Sequence, residues 1–193
     1  MADHVTIAVI EGTRREKRLS INAAKFVAEI GATFPDVEII FVDPLDFTFP
    51  DDGNGTEGKD PKYGEITTRA DGFFIVTPEY NHSFPGSLKR MLDSEYDNYF
   101  RKPVALAGVS NGGWGGTRAV ESLLPVMRSL GLLSAQLTSY FPRAQDIFDE
   151  NGQIHEEQRE KYTRMVRNEW EELLWLTRTL KWGRDNLLPP VYE

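Results

Sequence analysis

VTIAVIEGTRREKRLSINAAKFVAEI, residues 5–30, passes from an apolar run through a charged loop into a helical pattern. Val5–Ile10 is too continuously apolar for a strand with one wet face, so it reads as a strand buried on both sides. Ser20–Phe34 places Ala24, Val27, Ala28 and Ile30 on one stripe at helical spacing. A buried strand feeding directly into a helix is the repeating unit of a parallel sheet covered on both faces.

The same alternation continues downstream. Val37–Val42 is a second strand, stopped by Asp43-Pro44, and Phe73–Thr77 is a third, ended by Pro78. Pro85–Ser94 is helical, with proline in the first turn, where its missing N–H costs nothing. Val104–Val109 is a fourth strand, followed by a glycine-rich loop and the helix Thr117–Leu130, closed by Gly131. Leu133–Tyr140 is a fifth strand, and a long helix covers 155–184, with Met165, Val166, Trp170, Leu173, Leu174 and Leu180 as its apolar residues.

Right-handed crossovers between five such strands give an α/β, three-layer sandwich. Its parallel sheet takes the order 2-1-3-4-5, the flavodoxin-like arrangement. No repeat or linker divides residues 1–193, which read as a single domain. Asp46–Lys62 is acidic and rich in Gly and Pro, a loop that is either a solvated excursion or a lid or subunit contact. No helix is assigned between the second and third strands.

Composition narrows the chemistry. Among 193 residues there is no cysteine, and the only histidines are His4, His82 and His155. Thiolate nucleophiles and cysteine-ligated centres are excluded, and a histidine-rich metal site has too few ligands. Asp149–Glu157 lacks the alternating carboxylates of a calcium loop, so no metal is expected. A formal charge of −8 opposes general affinity for nucleic acid or anionic membrane. No basic leader or spanning apolar stretch is seen, so a soluble cytoplasmic protein is expected. An enzyme built this way leaves its chemistry to a cofactor.

In an open parallel sheet of this order, ligands bind beyond the carboxyl ends of the first, third and fourth strands. Glu11–Ser20 (EGTRREKRLS) combines Gly12, the hydroxyls of Thr13 and Ser20, and the cations Arg14, Arg15, Lys17 and Arg18 at a helix start. That is either a phosphate site or a solvated basic loop, and its concentration of positive charge in an acidic chain favours phosphate. It is neither a GxxxxGK[ST] loop nor a GxGxxG turn. Thr77–Pro85 (TPEYNHSFP) fixes its backbone with two prolines and suits a flat, hydrogen-bonding heterocycle. Gly108–Gly116 (GVSNGGWGG) lets backbone amides approach a ligand closely, a weak signal taken alone.

Together the three segments GTRREKRLS (12–20), TPEYNHSFPGSLKRMLD (77–93) and GVSNGGWGGTRAVESLL (108–124) resemble the NADPH-dependent FMN reductase family. That family includes flavodoxin-like quinone reductases and azoreductases, and the resemblance spans Val5 to Phe141. It implies FMN as the bound cofactor, NADPH or NADH as electron donor, and a small-molecule acceptor such as free flavin, a quinone or an azo compound. By the same resemblance, Thr13, Arg15, Arg18 and Ser20 surround the FMN phosphate. Pro78, Glu79, Tyr80 and Asn81 line the isoalloxazine, mostly through backbone groups. Ser110, Gly112 and Gly113 meet the pyrimidine end and ribityl chain. Arg90 and Ser94 depart from the family pattern, where Asn and Trp are common.

The resemblance also implies a homodimer or homotetramer built on the helices from Pro85 and Thr117. No side chain is required as a nucleophile. His82 reads as a loop anchor rather than a proton donor. Glu79 is either a substrate-side carboxylate or a backbone contact, and Trp114 either a flavin neighbour or simple packing. Tyr162, Met165, Trp170 and Trp175 are read as core or subunit interface, and Trp182 as partly exposed. The alternatives are a flavin-binding electron carrier or redox sensor without nicotinamide activity, and a phosphosugar- or nucleotide-binding module without flavin.

Overall fold

The computed structural model describes residues 4–50 and 58–188. Five parallel strands, β1 (Val5–Glu11), β2 (Val37–Val42), β3 (Gly72–Pro78), β4 (Pro103–Val109) and β5 (Leu133–Phe141), form one sheet of order β2-β1-β3-β4-β5. Its helices are α1 (Ser20–Gly31), α2 (Pro61–Arg69), α3 (Gly86–Asp93), α4 (Thr117–Ser129), α5 (Ala144–Ile147) and α6 (Glu156–Asn186).

Burial explains why the central strands read as unbroken apolar runs. Every residue of β1, β3 and β4 is buried, and successive side chains serve opposite layers. Ile7 and Val9 pack with α1 and α6, against Ala24, Val27 and Trp170. Ala8 and Ile10 pack with α2, α3 and α4, against Tyr63, Leu88 and Leu123. The flavodoxin-like α/β sandwich expected from the sequence is the one observed.

Two helices were not legible, the single-turn α5 and α2. Pro61–Arg69 is a helix, so the loop after β2 ends at Asp60 rather than Lys62. Its start signal is present: Asp60 accepts a hydrogen bond from the Lys62 amide, and Pro61 occupies the first turn. Gly64 and a polar surface mask the pattern, because only Tyr63 and Thr67 are buried. Nor is the start of that loop a solvated excursion, since Phe47 is buried and packs edge-on against Tyr63 at 5.8 Å. Residues 51–57, the middle of the acidic segment, lie outside the described residues.

On α6, Tyr162, Val166, Trp170, Leu173 and Leu174 are core, whereas Trp175 is 66% and Trp182 57% exposed. Trp170 anchors the layer, donating its indole N–H to the Val27 carbonyl at 2.9 Å. The free edge of β5 is guarded by Glu172 of α6, whose carboxylate accepts from the Gln136 and Leu137 amides, each at 2.8 Å. The strand order sets β1, β3 and β4 side by side, so the three loops singled out above leave the sheet at one place.

Candidate functional site

Beyond the carboxyl ends of β1, β3 and β4 lies a cavity of about 510 Å³, within the size range of small-ligand pockets. Arg15, Arg18, Ser20, Pro78, Glu79, Tyr80 and Ser110 all line it, joined by Glu16, Lys17, Leu19, Val109 and Asn111. Its base is tight. Gly12 donates to the Val76 carbonyl at 2.8 Å, and a Cβ there would stand 2.8 Å from both that oxygen and the Thr77 Cα.

The first loop folds over itself as it enters α1. Thr13 is buried; its hydroxyl accepts from the Arg15 amide at 3.2 Å and shares a hydrogen bond with the Tyr80 hydroxyl at 3.1 Å. The Arg15 guanidinium lies 5.3 Å from the Tyr80 ring centroid. No side chain caps α1 and no acid occupies its first turn, which leaves its leading amides and the positive end of its dipole to face an anion.

The other polar groups of this loop are already committed. The Ser20 hydroxyl donates to Glu11 at 2.6 Å, and Arg18 bridges Glu11, at 3.6 Å, and Asp43 at the end of β2. Glu11 is fully buried, and burial pushes its carboxyl up to about 8 despite the opposing pull of Ser20 and Arg18. Sequence reading passed over Glu11. The available signal was an acid closing a strand whose other residues are all apolar or small.

The second loop is a tight turn. Tyr80 and Ser83 exchange both backbone hydrogen bonds, at 2.8 and 3.1 Å, across Asn81 and His82, whose φ angles are 50° and 70°. Both central residues have positive φ, the signature of a type I′ turn. Asn81 and His82 are exposed at the tip, and Asn81 is not among the cavity-lining residues. His82 therefore serves the loop through its backbone conformation.

Glu79 faces the third loop. Its carboxylate accepts from the Arg118 guanidinium at 2.9 Å and the Arg118 amide at 3.3 Å, tying β3 to the first turn of α4. Arg118 in turn lies 5.2 Å from the ring centroid of Trp114, which is 66% exposed. The glycine-rich loop is braced from the far side, where the Arg143 amide donates to the Gly112 carbonyl and the Ala144 amide to that of Ser110. Gly112 and Gly113 do not line the cavity, but a Cβ at either would meet nothing within 4 Å, so their backbone is open to approach. Gly116, with φ 85°, abuts Gly108, where a Cβ would fall 2.8 Å from the Gly108 Cα.

Fold and site together define an α/β protein of flavodoxin topology, with a cationic helix N-terminus and two backbone-rich loops around one cavity. The profile of the NADPH-dependent FMN reductase family matches residues 5–146, and the chain belongs to that family. It is 32% identical over 171 residues to a 2-hydroxy-1,4-benzoquinone reductase from Burkholderia sp., covering 81% of this chain and 88% of that one. It is 26% identical over 170 residues to a quinone reductase from Pseudomonas putida, covering 82% and 89%. Among solved structures it is similar to the flavoenzyme NAD(P)H:(acceptor) oxidoreductase FerB from Paracoccus denitrificans. There the TM-score is 0.71 at 20% identity, with 88% of this chain and 97% of that one aligned. The chain is thus an FMN-dependent oxidoreductase that draws electrons from NAD(P)H.

Proposed function

We propose that the cavity at the ends of β1, β3 and β4 holds FMN, and that a quinone-type acceptor takes the electrons delivered there by NADPH or NADH. The observation that carries this reading is the convergence of an uncapped helix N-terminus, a cationic loop and two backbone-rich loops on one 510 Å³ cavity. The residues present fit the cofactor's two halves. Amides of α1 with Thr13, Arg15, Arg18 and Ser20 match a phosphate. Arg15 is exposed at the cavity and free of ion pairs among the described residues. Thr13 is buried beneath it and accepts from the Arg15 amide, and Arg18 and Ser20 line the cavity while tied to Glu11 and Asp43.

Pro78, Glu79, Tyr80 and Asn81 would border the isoalloxazine, and Ser110, Gly112 and Gly113 would meet its pyrimidine end and the ribityl chain. FMN, when bound, would supply the hydride and electron transfer, and the chain's residues would bind and orient it. Quinone acceptors are favoured because two of the relatives are named as quinone reductases.

Residues 1–193 are read as one domain working in the cytoplasm, where NADPH is maintained. No described helix is long and apolar enough to cross a membrane. A homodimer or homotetramer would use α3 and α4, between which Lys89, Asp93, Pro125, Val126, Ser129 and Leu130 frame a hollow of about 210 Å³.

The test is to add FMN, then NADPH or NADH without oxygen, and follow the flavin's visible absorbance. Rapid bleaching, with FMN affinity weakened by Thr13→Val/Arg15→Ala, is the expected result. FMN binding without bleaching by either nicotinamide would make the chain an electron carrier, and failure to bind FMN would remove the reading altogether.

A further inference from the structure

Beneath the cationic loop sits an acid with no part in the core. Glu11 closes β1 with no exposed surface; its Oε1 accepts from the Ser20 hydroxyl at 2.6 Å, and its buried Oε2 has no hydrogen-bond partner. The charged groups facing it are Arg18, 3.6 Å from Oε1, and Asp43 at the end of β2, to which Arg18 is also bound. β3, on its other side, presents Val76 in register and no charge, and the cations Arg14, Arg15 and Lys17 with Glu16 are exposed above. Two acids thus share one guanidinium at the floor of a site shaped for an anion.

We propose that Glu11 is a positioning residue whose proton controls the phosphate site. As a neutral acid beneath Arg18 it leaves the α1 amides and the exposed loop cations facing a dianionic phosphate; as a carboxylate it repels that phosphate from below. This rests on the reading that FMN places its phosphate on residues 12–20. Binding to the ionised form then takes up one proton from solvent, which resides on Glu11 in the complex.

Burial raises the Glu11 carboxyl to about 8, so the neutral form dominates at pH 7 and the carboxylate at pH 9. If only the neutral form binds, FMN affinity falls about tenfold between those pH values. A phosphomonoester's second ionisation, near pH ~6, is already about nine-tenths complete at pH 7, so the ligand's own charge changes little over that range.

FMN and riboflavin are titrated against the full chain at pH 7, 8 and 9 by flavin fluorescence, with wild type, Glu11→Gln and Thr13→Val/Arg15→Ala. The expected result is a tenfold rise in FMN Kd for wild type, a flat riboflavin profile, and a flat FMN profile for Glu11→Gln at the wild-type pH 7 affinity. Calorimetry of wild type in buffers of different protonation enthalpy at pH 8 should show uptake of about half a proton per FMN and none per riboflavin. That measurement decides the matter even if Glu11→Gln fails to fold.

A flat wild-type FMN profile without proton uptake, or a slope that survives in Glu11→Gln, overturns the proposal. If Thr13→Val/Arg15→Ala leaves the preference for FMN over riboflavin intact, the phosphate lies elsewhere and the proposal falls with the reading beneath it. If that variant loses the preference while wild type stays flat, only the role of the Glu11 proton is lost.

Discussion

Glu79→Ala separates a strut from a substrate-binding acid at the position where the sequence left both open. The Glu79 side chain is 9% exposed and the Arg118 side chain 39%, and the carboxylate receives both a guanidinium N–H and a first-turn amide of α4. A hydrogen bond to a charged group contributes about 1.5–3 kcal/mol when buried. The half-exposed arginine discounts that towards the lower end, since solvent screens its charge. Loss of a negative charge at the helix N-terminus adds about 0.3–1 kcal/mol. The sum is about 2 kcal/mol, or about 4–8 °C in Tm for a chain of this size.

A double-mutant cycle with Arg118→Ala, read by thermal unfolding, should return about 1 kcal/mol or more of coupling, because each single change removes the same contact. FMN binding should weaken modestly, since the strut sets the spacing between the second and third loops. The rate of flavin reduction by saturating NADPH should be nearly unchanged. If Glu79→Ala leaves stability intact but abolishes reduction, the carboxylate acts on the substrate and the reasoning from its hydrogen bonds is wrong.

Gly12→Ala forces a Cβ to 2.8 Å from the backbone of β3, which is held in the sheet and cannot retreat. It should cost about 2–3 kcal/mol and weaken FMN binding, and a variant as stable as wild type in urea would contradict the close approach. His82→Gly relieves a side chain at φ 70° and should leave Tm unchanged or raised by about 1–3 °C, with the pH–rate profile unaltered. A rate loss with an altered pH profile would instead make the imidazole a proton carrier.

Glu169, fully buried on α6, is held well above the ordinary carboxylate range by burial. Its folded form keeps a proton that the unfolded chain has released, so its contribution to stability falls as pH rises above about 4.5. Glu169→Gln should therefore gain Tm relative to wild type between pH 5 and pH 7.5, and parallel melting curves would refute this.

The sheet was legible because burial on both faces writes itself into β1, β3 and β4 as unbroken apolar runs bounded by Pro and Gly. The loops at their ends stood out for the opposite reason, since cations crowd residues 14–18, prolines bracket the polar run 79–83, and glycines crowd residues 112–116. The α2 helix was lost because its buried face is only Tyr63 and Thr67, too short a stripe to separate from the acidic loop before it. For a related cause the sequence did not separate Trp175, which is exposed on this chain, from the core residue Trp170. The stripe on a 31-residue helix does not mark which indole turns inward, and the neighbouring Trp170 alone reaches Val27 and Phe74. Contacts between loops were beyond reach altogether, because Glu79 meets Arg118 across 39 positions and Arg18 meets Asp43 across 25.

Those long-range contacts also explain how a chain of net charge −8 presents a site for an anion. Asp43 and Glu79 spend their charge on arginines of the site's own framework, Arg18 and Arg118, while burial keeps Glu11 beside Arg18 largely neutral at pH 7. The acids sit below or between the loops, whereas Arg14, Arg15 and Lys17 are exposed and form no ion pair among the described residues. Neutralising two arginines ties the loops to the framework, while α1 begins at the cavity's edge, where Leu19 and Ser20 line it, with no side-chain cap on its leading amides. The same arrangement predicts a hierarchy among the cations. Removing Arg15 should weaken FMN at unchanged stability, whereas removing Arg18 leaves Glu11 and Asp43 facing each other across a buried floor. That loss should appear first as a lower Tm, with weaker flavin binding following from the loosened loop. Equal and purely ligand-side effects at the two positions would place Arg18 on the phosphate rather than beneath it.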